Sequence, residues 1–190
     1  MADWPFRSLE SPRLKLRPLA PGDAGAYLDI FSEPEAMLYW TGAPIRSIDE
    51  ARDLLDRDLE WVKAGDALCW GAALPESDRL IGKVSLYLFS RQNRRAEIGY
   101  ILDRRYWNRG LMSEALAAVL DFAFDHLELH RIEADVDPDH AASLALLSKF
   151  GFRREGLLRE RWRVHGAWHD TVMLGLLAGD YVRRADRERA

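Results

Sequence analysis

The segment 96–115 constrains this chain more than any other. Ala-Glu-Ile-Gly-Tyr-Ile-Leu (96–102) reads as a strand. Residues 113–127 carry Leu116, Val119, Leu120, Ala123, Phe124 and Leu127 at the spacing of one broad helix face. Between them lies Tyr-Trp-Asn-Arg-Gly-Leu-Met-Ser-Glu-Ala (106–115), with Gly110 where the chain must turn from strand to helix. A residue without Cβ takes backbone angles that others avoid and lets a ligand approach the main chain. The N–H groups that open a helix have no partner one turn back and sit at the positive end of its dipole. Such a junction is an anion site, and phosphate is its usual guest. From this stretch alone, a plain turn glycine ahead of an amphipathic helix reads equally well.

Upstream, residues 1–12 form an irregular lead-in and Arg13-Leu14-Lys15-Leu16-Arg17 alternates as a strand does. Asp23 can cap a short helix over 24–31, and Ser47 with Glu50 forms a capping-box pattern opening a helix that Gly65 stops. The loop 33–44 carries Met37, Leu38, Tyr39 and Trp40, either a satellite core or the wall of a pocket. Residues 67–74, 80–89 and 96–102 then predict an antiparallel meander with short links. Gly82 and Gly99 inside these strands suggest bulges or a close backbone approach. After the long helix, 131–136 alternates and predicts a strand parallel to 96–102, joined by a right-handed crossover. A smaller helix over 141–150 ends at Gly151, and 152–162 with 171–177 close the sheet as a hairpin. Residues 178–190 read as a frayed charged tail. The expected fold is mixed α/β: one domain over 13–177, with about seven strands, mostly antiparallel, and about four helices. The sheet splays at its one parallel pair, the fourth and fifth of the predicted strands, and an extended ligand fits such a crevice.

The 190 residues are enough for one domain with a proper core, and 48% hydrophobic with 31% charged residues excludes a disordered chain. A formal net charge of −4 leaves no footprint for direct nucleic-acid binding. No apolar run approaches the ~20 residues that span a bilayer, and the first residues lack the apolar run of a signal peptide. The single cysteine, Cys69, permits no intrachain disulfide, which fits a cytoplasmic setting. His126 and His130 fall at i and i+4, a spacing that can ligate a metal, but their place at a helix end reads as dipole pairing or solvent exposure, and His165, His169 and Asp170 at a turn are too few for a metal site.

Three pieces in this order and spacing resemble the GNAT-superfamily N-acetyltransferases, and more narrowly the branch that acetylates the N-terminal alanine or serine of ribosomal proteins. They are 96–102 with 106–115; His-Ala-Ala-Ser (140–143) with Lys-Phe-Gly-Phe (149–152); and Glu-Gly-Leu-Leu-Arg-Glu (155–160) followed by Trp-His-Asp (168–170). The resemblance spans roughly residues 11–177. It implies acetyl-CoA as donor, with no metal, and a primary amine as acceptor, a ribosomal protein N-terminus among the candidates. It implies that amides of the loop at Asn108, Arg109, Gly110, Leu111, Met112 and Ser113 hold the pyrophosphate. Pantetheine would lie beside Ile101 and Leu102, with His140 and Lys149 as further donor-binding residues. Trp107 stands where the family usually has Gln or Arg, Met112 where it often has Gly or Ala, and His140 where it usually has Asn.

Acetyl transfer to an amine requires a neutral amine, a polarised thioester carbonyl and a stabilised thiolate. Glu97 is the candidate base, since alternation puts it with Gly99 on one strand face and the family has a glutamate there facing the acceptor. Its alternative is a surface carboxylate paired with Arg94 or Arg95. Ser143 is the candidate acid for the thiolate, because the helix 141–150 has no tyrosine and the narrower branch has a serine at this position. Helix capping and pantetheine binding are its alternatives. Tyr39 and Trp40 are candidate walls of the acceptor site, and Cys69 reads as a small buried hydrophobe. A small-amine acceptor (polyamine or antibiotic) and a CoA-binding module without turnover remain as other readings. An exposed closing hairpin can support a homodimer.

Overall fold

The structure, a computed structural model, describes residues 6–183. One eight-stranded sheet organises it: β1 (Leu9–Glu10), β2 (Lys15–Pro18), β3 (Ala67–Ala73), β4 (Leu80–Ser90), β5 (Arg95–Leu102), β6 (Arg131–Val136), β7 (Arg153–Val164) and β8 (Ala167–Leu177). The spatial order is β1-β2-β3-β4-β5-β6-β8-β7. Only β5 and β6 pair parallel; every other neighbour is antiparallel. The mixed α/β class, the four helices and the single parallel pair agree with the sequence reading. The eighth strand, β1, falls in the stretch expected to be irregular. It has two residues, too few for any alternation to show.

Four helices cover the two faces. Helix α1 (Ala24–Phe31) and helix α2 (Ile48–Ala64) pack on one side, through Tyr27, Ile30, Phe31, Ala51 and Leu55. Helix α3 (Leu111–Asp125) and helix α4 (Ala141–Ser148) lie on the other, where Leu116, Val119, Leu120 and Leu147 meet Ile98, Ile132, Ala134 and Leu174 of the sheet. Ser47 caps α2 by accepting from the Glu50 amide at 3.2 Å, while Glu50 reaches back to the Arg46 amide. Asp23 gives α1 no side-chain cap. Its carboxylate is taken by the Arg17 guanidinium and the Ala20 amide, a stronger, charge-assisted set.

The hairpin β7–β8 turns on His165 (φ 48°) and Gly166 (φ 88°), two consecutive left-handed residues, as a two-residue loop needs to match strand twist. In β4, Gly82 faces the Ile101 carbonyl so closely that a Cβ would come within 2.7 Å of it. The segment after β8 is not frayed where it is described. Tyr181 is buried on α3, its hydroxyl donating to Ala117 O and Asp121, and Arg183 forks onto Asp125. The rest of the expected tail, 184–190, and the first five residues of the lead-in lie outside the described residues.

Gly151, just past α4, has φ +97°, and an added Cβ would sit 2.4 Å from the Asp180 carbonyl oxygen. Both the backbone angle and the collision oppose a side chain here. Gly151→Ala should therefore destabilise the fold by about 2 kcal/mol, seen as a fall in Tm of roughly 4–8 °C by calorimetry.

Candidate active site

The parallel pair is short. β5 and β6 share only Arg95↔Arg131, Ala96↔Ile132 and Glu97↔Glu133. Beyond that point β5 continues to Leu102 and β6 to Val136 with no ladder between them. The open stretch from Ile98 to Leu102 is roughly 13 Å long. Main-chain groups facing such a gap lack a strand partner, and buried N–H and C=O groups need one. Ile98, Gly99, Tyr100, Ile101 and Leu102 line one side and Ala134, Asp135 and Val136 the other, in a cavity of about 570 Å³.

The gap leads straight to the strand–helix junction. Asn108 (φ 58°) and Gly110 (φ 74°) are both left-handed and flank Arg109. Gly110 is the N-cap of α3 and offers no side-chain cap; the first helical bond runs from the Glu114 amide to Gly110 O at 3.1 Å. The amides of Leu111, Met112 and Ser113 thus have no helical carbonyl to bond, and these residues, with Asn108 and Gly110, line the same cavity. The loop is buttressed from outside: Arg13 donates to Arg109 O at 2.8 Å and pairs with Glu114. Trp107 donates from its indole to Leu102 O at 2.8 Å, so the unusual tryptophan ties the loop's start to the end of β5. Open strand edges running into a nest of free amides fit a long ligand with amide groups and a terminal pyrophosphate. Arg109 itself is exposed, its guanidinium over the Tyr106 ring, and is not among the lining residues.

Glu97 sits at the closed end of the fork, paired across to Tyr87 on β4 and Glu133 on β6. It is 8% exposed and lies behind the lining rather than in it. Neither arginine of its alternative reading takes it: Arg95 pairs with Glu133 and Arg94 with Glu128. Among the described residues its carboxyl makes no hydrogen bond or ion pair. Burial, and after it the nearby Asp135 and Glu133 carboxylates, push its pKa above the ordinary value of 4.5.

Ser143, in the first turn of α4, is buried and lines the cavity; its hydroxyl lies 2.7 Å from that of Tyr100. It does not cap α4, whose N-cap is His140. His140 is stacked on Tyr39 with ring centroids 4.3 Å apart, and burial lowers its pKa, which favours the neutral imidazole. Tyr39 also donates to Asp139 O. Trp40, Trp61, Lys83, Ser85 and Tyr87 line the cavity from the α1–α2 side, Trp162, Asp170 and Thr171 from the hairpin, and Lys149 from the C-cap of α4. Lys83 is buried and bonded at 2.6 Å to Asp58, which also receives the Tyr27 hydroxyl at 2.6 Å. Cys69 is buried beside Ser85, its thiol pushed up by burial.

The sequence reading missed Tyr100, Asp135 and Trp162 as lining residues. Alternation assigned Tyr100 only to the face away from Glu97, and the aromatic content of the hairpin gave no register. Asp135 accepts the Trp162 indole at 2.8 Å and lies 3.6 Å from Arg161.

Residues 13–153 match the acetyltransferase (GNAT) domain family. An uncharacterized N-acetyltransferase, p20, of Bacillus licheniformis is 34% identical over 93% of this chain and 99% of its own length. The [ribosomal protein uS5]-alanine N-acetyltransferase of Escherichia coli is 30% identical over 65% of this chain and 64% of its own. A spermidine N(1)-acetyltransferase of Vibrio cholerae is 26% identical over 92% and 98%. The solved structure of Mycobacterium smegmatis RimJ in complex with CoA-disulfide superposes with a TM-score of 0.84, at 26% identity over 98% of this chain and 93% of that one.

A carboxyl whose pKa is higher in the native state binds its proton more tightly there, so stability falls as pH rises between the unfolded and folded values. Glu97→Gln removes that penalty. Urea unfolding should show the variant more stable than wild type at neutral pH, with the difference closing as the pH falls below 4.5.

Proposed function

Because the chain belongs to the GNAT acetyltransferase family and is an N-acetyltransferase, we propose that it moves an acetyl group from acetyl-CoA to the amine of a protein or peptide N-terminus, by direct attack in a ternary complex. The continuity of the β5–β6 fork with the amide nest of 108–113 is the observation that supports this most. Pantetheine fits the fork beside Ile101 and Leu102, and the pyrophosphate fits the amides from Asn108 to Ser113. Of the carbonyls at the fork's end, that of Leu102 is already engaged by Trp107. His140 offers one imidazole donor and Lys149 a cation at the cavity wall.

Acetyl-CoA supplies an already activated thioester, so the protein's own work is positioning and proton handling. Glu97 takes the proton of the attacking amine. It stands behind the lining, so a water relays that proton from the cavity. Burial and the nearby Asp135 and Glu133 carboxylates raise its pKa, which makes its carboxylate a better base than that of a free glutamate. Ser143 faces the leaving sulfur. Tyr39 and Trp40 wall the acceptor end together with the hairpin tip, where His165 lies 3.3 Å from Met37 O.

Two acceptor classes suit these walls. The name of the Escherichia coli relative supports a protein N-terminus, a ribosomal protein among the candidates. The name of the Vibrio cholerae relative, with Asp135, Asp137 and Asp170 in the lining, supports a polyamine as the second reading. The lone buried Cys69 suits a cytoplasmic setting.

Thiol release from acetyl-CoA should appear with peptides beginning in Ala or Ser and exceed that with spermidine or an aminoglycoside. Glu97→Gln should lower kcat on the preferred acceptor about 100-fold with little change in KM. Preferred turnover of spermidine would move the assignment to the second reading. Full turnover in the variant would remove Glu97 as base.

A further inference from the structure

A second hydroxyl stands behind Ser143. Tyr100 is the third residue of β5 past the last β5–β6 pair, inside the fork, and Ser143 approaches it from α4. Their oxygens are 2.7 Å apart and both residues line the cavity. Among the described residues, neither side chain makes any other hydrogen bond. Two hydroxyls so placed share one bond and have one proton left over. Either oxygen can donate, and the phenol, the stronger acid of the two, is the better donor and the serine oxygen the better acceptor. Burial pushes the Tyr100 pKa up to about 12, so the phenol keeps its proton and stays able to donate at any working pH.

The consequence falls on Ser143. A serine hydroxyl rotates to suit its surroundings, but one whose oxygen is engaged from the β5 side must point its own proton elsewhere. The open direction is the cavity. Donation into the serine oxygen also strengthens the bond that the serine donates in turn.

We propose that Tyr100 is a positioning residue, which donates to Ser143 Oγ and so aims the Ser143 proton at the sulfur of the bound donor. This rests on the placement of CoA in the fork given above. As nitrogen bonds to the acetyl carbon, the carbon–sulfur bond breaks and sulfur keeps the electron pair. Tyr100 and Ser143 give up no proton in this step. They offer the thiolate a fixed hydrogen bond, while the amine's proton leaves by way of Glu97 and water. A thiolate so held is stabilised relative to thiol, so the pair should act on bound CoA even with no acceptor present.

That last point gives a test independent of turnover. CoA itself is titrated into the full-length protein by calorimetry, and the ultraviolet absorbance of its thiolate is followed against pH in the saturated complex. Wild type is compared with Tyr100→Phe, Ser143→Ala and the double variant, each checked by its melting curve. The bound thiol in wild type should titrate about one unit below free CoA. Ser143→Ala should abolish the shift, Tyr100→Phe should remove a large part of it, and the double variant should match Ser143→Ala, each read in a complex that the calorimetry shows to be saturated. An unshifted thiol in a wild-type complex overturns the inference and leaves the CoA site standing. So does a full shift in Tyr100→Phe, or in Ser143→Ala, whose smaller side chain tests the same bond if the phenylalanine variant fails to fold. Absence of CoA binding in wild type overturns the site assignment and this inference with it.

Discussion

Everything in the site depends on where the β5–β6 ladder stops. Three residue pairs hold the strands together, and after Glu97 and Glu133 they part. The gap does not close because each strand is fixed by its other neighbour. β5 stays in register with β4 as far as Gly82↔Leu102, and β6 pairs with β8 along its whole length, from Arg131↔Leu177 to Val136↔Val172. The two half-sheets are bridged underneath by α3, whose apolar face packs on both in one core. Close-packed interiors resist collapse, so the sheet keeps a slot in which main-chain groups remain available.

Much of this was legible in the residues. The alternation of 131–136, the turn residues between 67 and 102 and the apolar face of α3 gave the meander and the crossover, because period-2 and period-3.6 patterns report burial directly. The nest was legible through Gly110, where the chain had to turn. Helix α3 begins at Leu111, two residues ahead of the expected start, because the free amides that make the nest already belong to its first turn. What stayed hidden was tertiary. Tyr100 looked like any core aromatic until α4 brought Ser143 to its hydroxyl, a pairing 43 positions apart. Asp135 alternates in β6 as a polar residue should, and only the packing of Trp162 shows that it faces the cavity. Glu97 was singled out by its strand position, but its place behind the lining, and its lack of an ion pair once Arg95 takes Glu133, are tertiary.

The two faces of the sheet have different chemistry. On the α3–α4 face the groups we propose for the donor are backbone amides and hydroxyls, uncharged and held by apolar packing. On the α1–α2 face a buried ion pair, Lys83 with Asp58, is completed by Tyr27 and lies under the rings of Tyr27 and Phe31. A buried pair of this kind gives little net stability against an apolar replacement. It does fix a geometry, because either partner alone would be an uncompensated buried charge. The pair ties α2 to β4 where Lys83 and Ser85 meet the cavity, so the acceptor wall is set by directional contacts as well as by packing.

The proposed donor groove is built from one run of chain, from β5 through α4, whereas the proposed acceptor walls are assembled from segments far apart, with the β7–β8 turn resting on the loop after α1 through His165 and Met37. Neither of those two segments supplies a residue to the amide nest. Sequence drift in the loop and the hairpin can therefore reshape the acceptor side while the groove is inherited intact. On that view the groove and the walls are separable parts, and one groove can serve different clients through different walls.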